Sequence, residues 1–222
     1  MHYDPVNGRH GLRFDPFKAL VVPRPIGWIG TLSREGVPNL APYSFFNAVS
    51  DRPPMLMFSS GGAKDSLRNV LATGEFTCSI ATLALRDAMN LSSATVAPVV
   101  DEFELSGLTP APSLFVKPAR VARSPAAFEC RLWKTLPLPP HQPGAASSYT
   151  MVLGTVVGIY IDDAFIADGM VRTGDMGVLA RLGYMDYSVL KADAMFTMNR
   201  PLASEDGLSA SVEPGAWDGV FR

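Results

Sequence analysis

Short alternating runs, rather than long amphipathic stripes, dominate the hydrophobic pattern and predict an antiparallel β fold with few helices. From Ile26 to Ala41, IGWIGTLS, then Arg34-Glu35-Gly36, then VPNLA predicts two strands joined by a tight turn, with Gly36 at positive φ. Pro53-Pro54 argues against an extended ladder at that point. The apolar run from Met55 to Ser59 then predicts a buried strand. The period changes next. Asp65 or Ser66 is placed to cap a short helix with Leu67, Val70 and Leu71 on one face, and Gly74 stands where a left-handed terminal residue is favoured.

Phe76, Cys78 and Ile80 alternate with polar partners over Glu75 to Thr82, predicting a half-buried strand, and Leu85, Ala88 and Met89 mark a second helix. Asp101 to Pro125 is rich in Pro, Ala and Ser and reads as irregular, with one short edge strand at most. Strand character returns from Phe128 to Leu136. Phe128, Cys130, Leu132 and Lys134 fall on one side, leaving Glu129, Arg131 and Trp133 toward solvent or a partner. Tyr149 to Asp163 is the longest β-branched run, and Gly154 and Gly158 within it predict the bends or bulges by which barrel strands turn corners. The sum is mainly β: an antiparallel barrel with peripheral helices. The segment from Ala203 to Arg222 is turn-rich and weakly periodic, and is expected to lie along a neighbouring subunit.

Composition narrows this picture. A chain of 222 residues, 47% hydrophobic, suits a single domain over 1–222, and no apolar run approaches the roughly 18 residues of a membrane span. The opening MHYDPVNGRHGLRF has no apolar signal core, so a soluble cytoplasmic protein is expected. A net charge of −2 with interspersed signs leaves no basic stripe for nucleic acid. Cys78 and Cys130 sit in apolar runs without a CxxC spacing and read as buried free thiols. His2, His10 and His141 share no ligand spacing, so no metal centre is expected.

The candidate chemistry lies between Pro23 and Asn69. A helix beginning near Lys64 would present unpaired N–H groups and a positive dipole end, with Lys64 adding a charge and Ser66 a hydroxyl. On residues alone, Asp65 or Ser66 as a simple cap and Lys64 as a solvated side chain is the more ready explanation of the segment. Ser44, Phe45 and Asn47 follow a backbone-fixing Pro42 and could edge a planar heterocycle, although on composition alone YSFFNAV reads more readily as a core strand. Trp28 could stack on an aromatic ring or fill the core. These groups in this order suit a phosphorylated, flat, polar-edged ligand such as FMN. No Ser-His-Asp, Cys-His or paired-carboxylate arrangement stands out, so no catalytic side chain is assigned.

PRPIGWIGT, NLAPYSFF, the Lys64-Asp65-Ser66 run with Asn69, and VLARLGYMDYS together resemble the flavin reductase family with the FMN-binding split barrel. The likeness is to its branch of flavoredoxins and reductase components of two-component monooxygenases, and it spans roughly Phe14 to Leu190. The resemblance implies a split barrel, bound FMN, NAD(P)H as electron donor, and a homodimer with flavin sites at its interface. It places Lys64, Asp65, Ser66 and Asn69 at the flavin phosphate, Ser44, Phe45 and Asn47 along the ring, and Thr31 nearby. Trp28 remains a weaker candidate, and Arg181 is implied near the phosphate or a partner chain. Tyr184 stands where the family signature has a second Gly, and Met151 where many relatives carry His. The expected activity is an NAD(P)H:flavin oxidoreductase delivering electrons to an acceptor or monooxygenase partner. The alternatives are a noncatalytic flavin electron carrier and a ligand-binding barrel without flavin.

Overall fold

Seven strands carry the alternating pattern into one antiparallel sheet: β1 (Gly27–Leu32), β2 (Pro38–Tyr43), β3 (Phe46–Asp51), β4 (Pro54–Gly61), β5 (Glu75–Ile80), β6 (Ala126–Pro137) and β7 (Tyr149–Ile161). The computed structural model describes residues 1–5, 10–140, 144, 146–212, 215–217 and 219, so His141 lies outside the described residues. The strand order is β2-β1-β5-β6-β7-β4-β3, every pairing antiparallel. This is the mainly β split-barrel architecture. Helices α1 (Asp65–Thr73), α2 (Arg86–Leu91) and α3 (Glu102–Leu105) sit around it.

Strand β1 is buried on both faces because it separates two apolar clusters. Ile29 joins Phe58, Phe76, Cys78, Cys130 and Val152 in the barrel interior. Its neighbour Trp28 points the other way, into a second cluster with Leu40, Met89, Phe103 and Val121. Both thiols are free and fully buried, and burial raises both their pKa values well above the ordinary thiol range.

The segment from Asp101 to Pro125 explains where the pattern misleads. It contains α3 and two short paired strands, Pro110–Ala111 and Arg120–Val121, and it packs over the outer face of β5. Thr77 there donates to the Ala119 carbonyl at 2.8 Å, and Ser79 accepts from the Val121 N–H at 3.0 Å. Strand β5 is therefore buried on both faces, not one. Glu129 on β6 is likewise 4% exposed rather than turned to solvent, its carboxylate accepting from the N–H groups of Leu114, Phe115 and Val116. Lys134, expected with the apolar side, is exposed. Arg52 and Pro53 form the turn of the β3–β4 hairpin and Pro54 pairs with Asp51, so the Pro53-Pro54 pair starts a ladder instead of barring one.

Other expectations hold locally. Gly36 and Gly74 take φ of 88° and 74°. The register of β7 against β6 shifts at Leu153/Gly154 and again at Val156/Gly158, so both glycines mark bulges. On α1, Leu67 and Val70 are buried, but Leu71 is 56% exposed. The described part of the tail forms a small hairpin, Leu202–Ala203 against Ala210–Ser211.

Candidate functional site

Helix α1 organises the site. Its N-cap position is Lys64, in extended backbone (φ −74°, ψ 168°), and no side chain caps it. Neither Asp65 nor Ser66 is the cap expected from sequence. Asp65 instead pairs with Arg68 one turn on, and the Ser66 hydroxyl accepts from Asn39 Nδ2 at 3.0 Å. The N–H groups of the first turn are consequently left for an anion, at the positive end of the helix dipole.

A cleft of about 620 Å³ opens at this terminus, within the range of roughly 300–1,000 Å³ typical of small-molecule sites. It is walled by Pro42–Phe45, Ser59, Gly61, Ala63–Ser66, Arg68 and Ser92–Val96, with Asn39, Glu102 and Tyr149 completing it. The rings of Phe45 and Tyr149 meet edge-on at 5.7 Å. Behind the cleft, Asn39 Nδ2 also donates to Thr31 Oγ1 at 3.1 Å, and Asn69 Nδ2 donates to the same oxygen at 3.1 Å. This amide–hydroxyl network ties β1, β2 and α1 together and holds Ser66 in place.

Five of the ten predicted site residues, Ser44, Phe45, Lys64, Asp65 and Ser66, share this cleft wall. Thr31 and Asn69 do not line it: Thr31 stands one hydrogen bond behind it, through Asn39, and Asn69 two, through Thr31. Asn47 lines an adjoining apolar groove of about 470 Å³, which shares Ser44, Phe45, Ser59 and Tyr149 with the cleft. Trp28 lies in the second core, its indole N–H donating to Ser92 Oγ at 2.9 Å. Arg181 lines a separate neighbouring cavity, where it sits over the Tyr187 ring. Met151 faces Ser59 in register on β7 and is not part of the cleft wall.

Sequence reasoning missed Asn39, Tyr43, Arg68, the Ser92–Val96 wall, Glu102 and Tyr149. Arg68 was readable as the i+3 partner of Asp65. Glu102 and Tyr149 reach the site only through long-range folding, and no local pattern marks them. Two of the missed groups set the electrostatics. The Tyr43 hydroxyl is buried with no hydrogen-bond partner among the described residues. Burial raises its pKa against the opposing pull of the nearby Ser66 and Ser60 hydroxyls, which stand outside bonding geometry. Glu102, 5% exposed, accepts from the Leu40 N–H at 3.1 Å, and its pKa is raised by burial first, against that hydrogen bond, with Asp65 and Asp101 adding to the rise. An uncapped helix terminus, two basic side chains and an unpartnered phenol fit a phosphorylated ligand with polar edges.

Comparison with known proteins agrees with this chemistry. Residues 19–176 match the family model described as the flavin reductase like domain. A protein of Aquifex aeolicus is 44% identical over 124 residues, 54% of this chain and 63% of that protein, so the match spans under two thirds of that relative. One from Deinococcus radiodurans is 34% identical over 194 residues, covering 83% of this chain and 82% of the relative. Among solved structures, nitrilotriacetate monooxygenase component B from Bacillus cereus superposes with a TM-score of 0.79 at 27% identity, covering 89% of this chain and 98% of its own.

Proposed function

Because the chain belongs to the flavin reductase-like family, we propose that it is an NAD(P)H-dependent flavin oxidoreductase that holds FMN in the cleft at the start of α1. The observation carrying this reading is the uncapped N-terminus of α1, with Lys64 and Ser66 beside it. There the phosphate would take the first-turn N–H groups, the Ser66 hydroxyl and the Lys64 ammonium. Arg68 is half spent on Asp65, so it screens that carboxylate as much as it attracts the phosphate. Ser44 and Phe45 border the ring, Asn47 reaches it from the adjoining groove, and Thr31, through Asn39, and Asn69, through Thr31, act as positioning residues. The Phe45 and Tyr149 rings, edge-on at 5.7 Å, would cover part of a flavin held there. Bound FMN supplies the hydride-accepting chemistry, and the chain's task is to hold, orient and shield it.

A homodimer belongs to this reading, supported by the apolar groove of Val21, Pro23, Phe46, Met57 and Leu138 that opens beside the cleft. An oxygenase as the acceptor is supported by the likeness to a monooxygenase component. Among the described residues no helix is long and apolar enough to cross a membrane, which is consistent with the cytoplasmic location in this reading.

Replacing Lys64 with Ala should weaken FMN binding by about 1–3 kcal/mol, the worth of a charge-assisted hydrogen bond, with the fold retained. Titration of FMN fluorescence measures this, and equal affinities would remove Lys64 from the site. Anaerobic stopped-flow mixing of the flavin-loaded protein with NADH and NADPH tests the activity itself. Rapid bleaching supports the reductase, and a persistent yellow colour makes the protein a carrier.

A further inference from the structure

A second cavity of about 340 Å³ lies beside the flavin cleft and shares Pro42, Ser44 and Ser93 with it. Its charged wall consists of Lys18, Arg24 and Arg181, with no carboxylate in the lining. Among the described residues none of these three forms an ion pair. The chain as a whole is net negative, at −2, so this local excess of cations is not a reflection of composition.

Arg24 is the informative member. It is only 6% exposed. Its Nη1 donates to the carbonyls of Lys18 at 2.5 Å and Val21 at 2.6 Å, and its Nη2 to that of Leu182 at 2.7 Å. Those bonds fix the guanidinium, yet Nε is buried with no partner. Neutral carbonyls do not balance its charge, and both burial and the neighbouring Arg181 lower its pKa. Arg181 is itself held, donating to the Tyr184 carbonyl with its guanidinium 4.4 Å above the Tyr187 ring. A preorganised pair of guanidiniums with a spare buried donor is what an anion requires. Ser44, Asn90 and Ser93 add polar groups to the wall, while Ile26, Met89, Tyr184 and Tyr187 give it an apolar and aromatic side that suits a flat hydrophobic body.

We propose that this cavity is a binding site for a compact aromatic carboxylate, its charge on Arg24, Arg181 and Lys18 and its ring against the tyrosines. The anion seat stands on its own geometry. Taking its occupant as the second reactant beside the flavin rests on the function proposed above.

Calorimetric titration of the purified protein, with and without FMN, with benzoate, neutral benzamide and inorganic phosphate tests this. Benzoate should bind at least about tenfold tighter than benzamide and than phosphate, and Lys18→Gln and Arg181→Gln should each weaken it about tenfold. Lys18 is exposed, so its variant is expected to unfold at the wild-type temperature and to separate lost binding from lost fold. Equal binding of benzoate and benzamide, phosphate binding as tightly as benzoate, or unchanged benzoate affinity in both variants would overturn the proposal. So would a parallel loss of FMN affinity in both variants, which would hand the cavity to the cofactor's phosphate. Intact benzoate binding by a protein that binds no FMN would sink the flavin reading and leave this one standing.

Discussion

Glu102 shows how much of the site depends on single residues that sequence pattern cannot rank. In a Pro- and Ala-rich stretch it looks like one more surface acid, yet it lines the cleft at 5% exposure and is tied to β2 through the Leu40 N–H. Burial raises its pKa above the unfolded value, so between those two values the folded state binds more protons. Its contribution therefore turns against folding as pH rises through that window, and is neutral below the ordinary carboxylate range. Glu102→Gln keeps an acceptor for Leu40 and removes the charge. Urea unfolding from about pH 4 to about pH 8 should show the variant gaining stability relative to wild type as pH rises. A difference independent of pH would mean that the carboxyl is not titrating in this environment. At the same scale Lys64 and Ser66 were legible, because a helix start advertises itself locally. Tyr43, Glu102 and Tyr149 were not, since their relevance is created by distant segments.

At the scale of elements, the strands were legible because period-two alternation survives wherever one face meets the core. The hairpin of β1 and β2 and the bulged β7 follow directly from such patterns. The failures cluster at β5, β6 and the segment from Asp101 to Pro125 for one reason. That segment covers the outer face of the barrel, so Ser79, Thr77 and Glu129 are polar but buried, satisfied by backbone groups of a chain that looks irregular. Gly154 offers a test of the element itself. A Cβ placed there would meet the Phe76 ring at 2.5 Å and the Arg131 carbonyl at 3.3 Å. Gly154→Ala should cost about 1–3 kcal/mol in chemical denaturation, the usual range for overpacking a filled core. A change within about 0.5 kcal/mol would show that the bulge yields more readily than the packing suggests.

For the whole molecule, the two apolar clusters are the governing fact. Strand β1 supplies Ile29 to one and Trp28 to the other, and Asn39 bonds across to Thr31 and Ser66 from the adjacent strand. Neither cluster can lose its packing while β1 remains paired, so the barrel and its outer coat are expected to unfold as one unit. Tryptophan emission and far-ultraviolet circular dichroism should trace coincident denaturant transitions, whereas two separated midpoints would show that the coat melts independently. Nothing in the length, composition or hydrophobic pattern announced that one strand would serve two interiors.

Ser92 stands at a junction between these scales. Its hydroxyl accepts a hydrogen bond from the Trp28 indole N–H and donates to the Met89 carbonyl, while the same residue forms part of the cleft wall. A guest that displaces Ser92 should therefore change the emission of a ring that is itself fully buried. Trp28 is thus positioned as an optical reporter of the cleft, joined to its wall through a single oxygen atom.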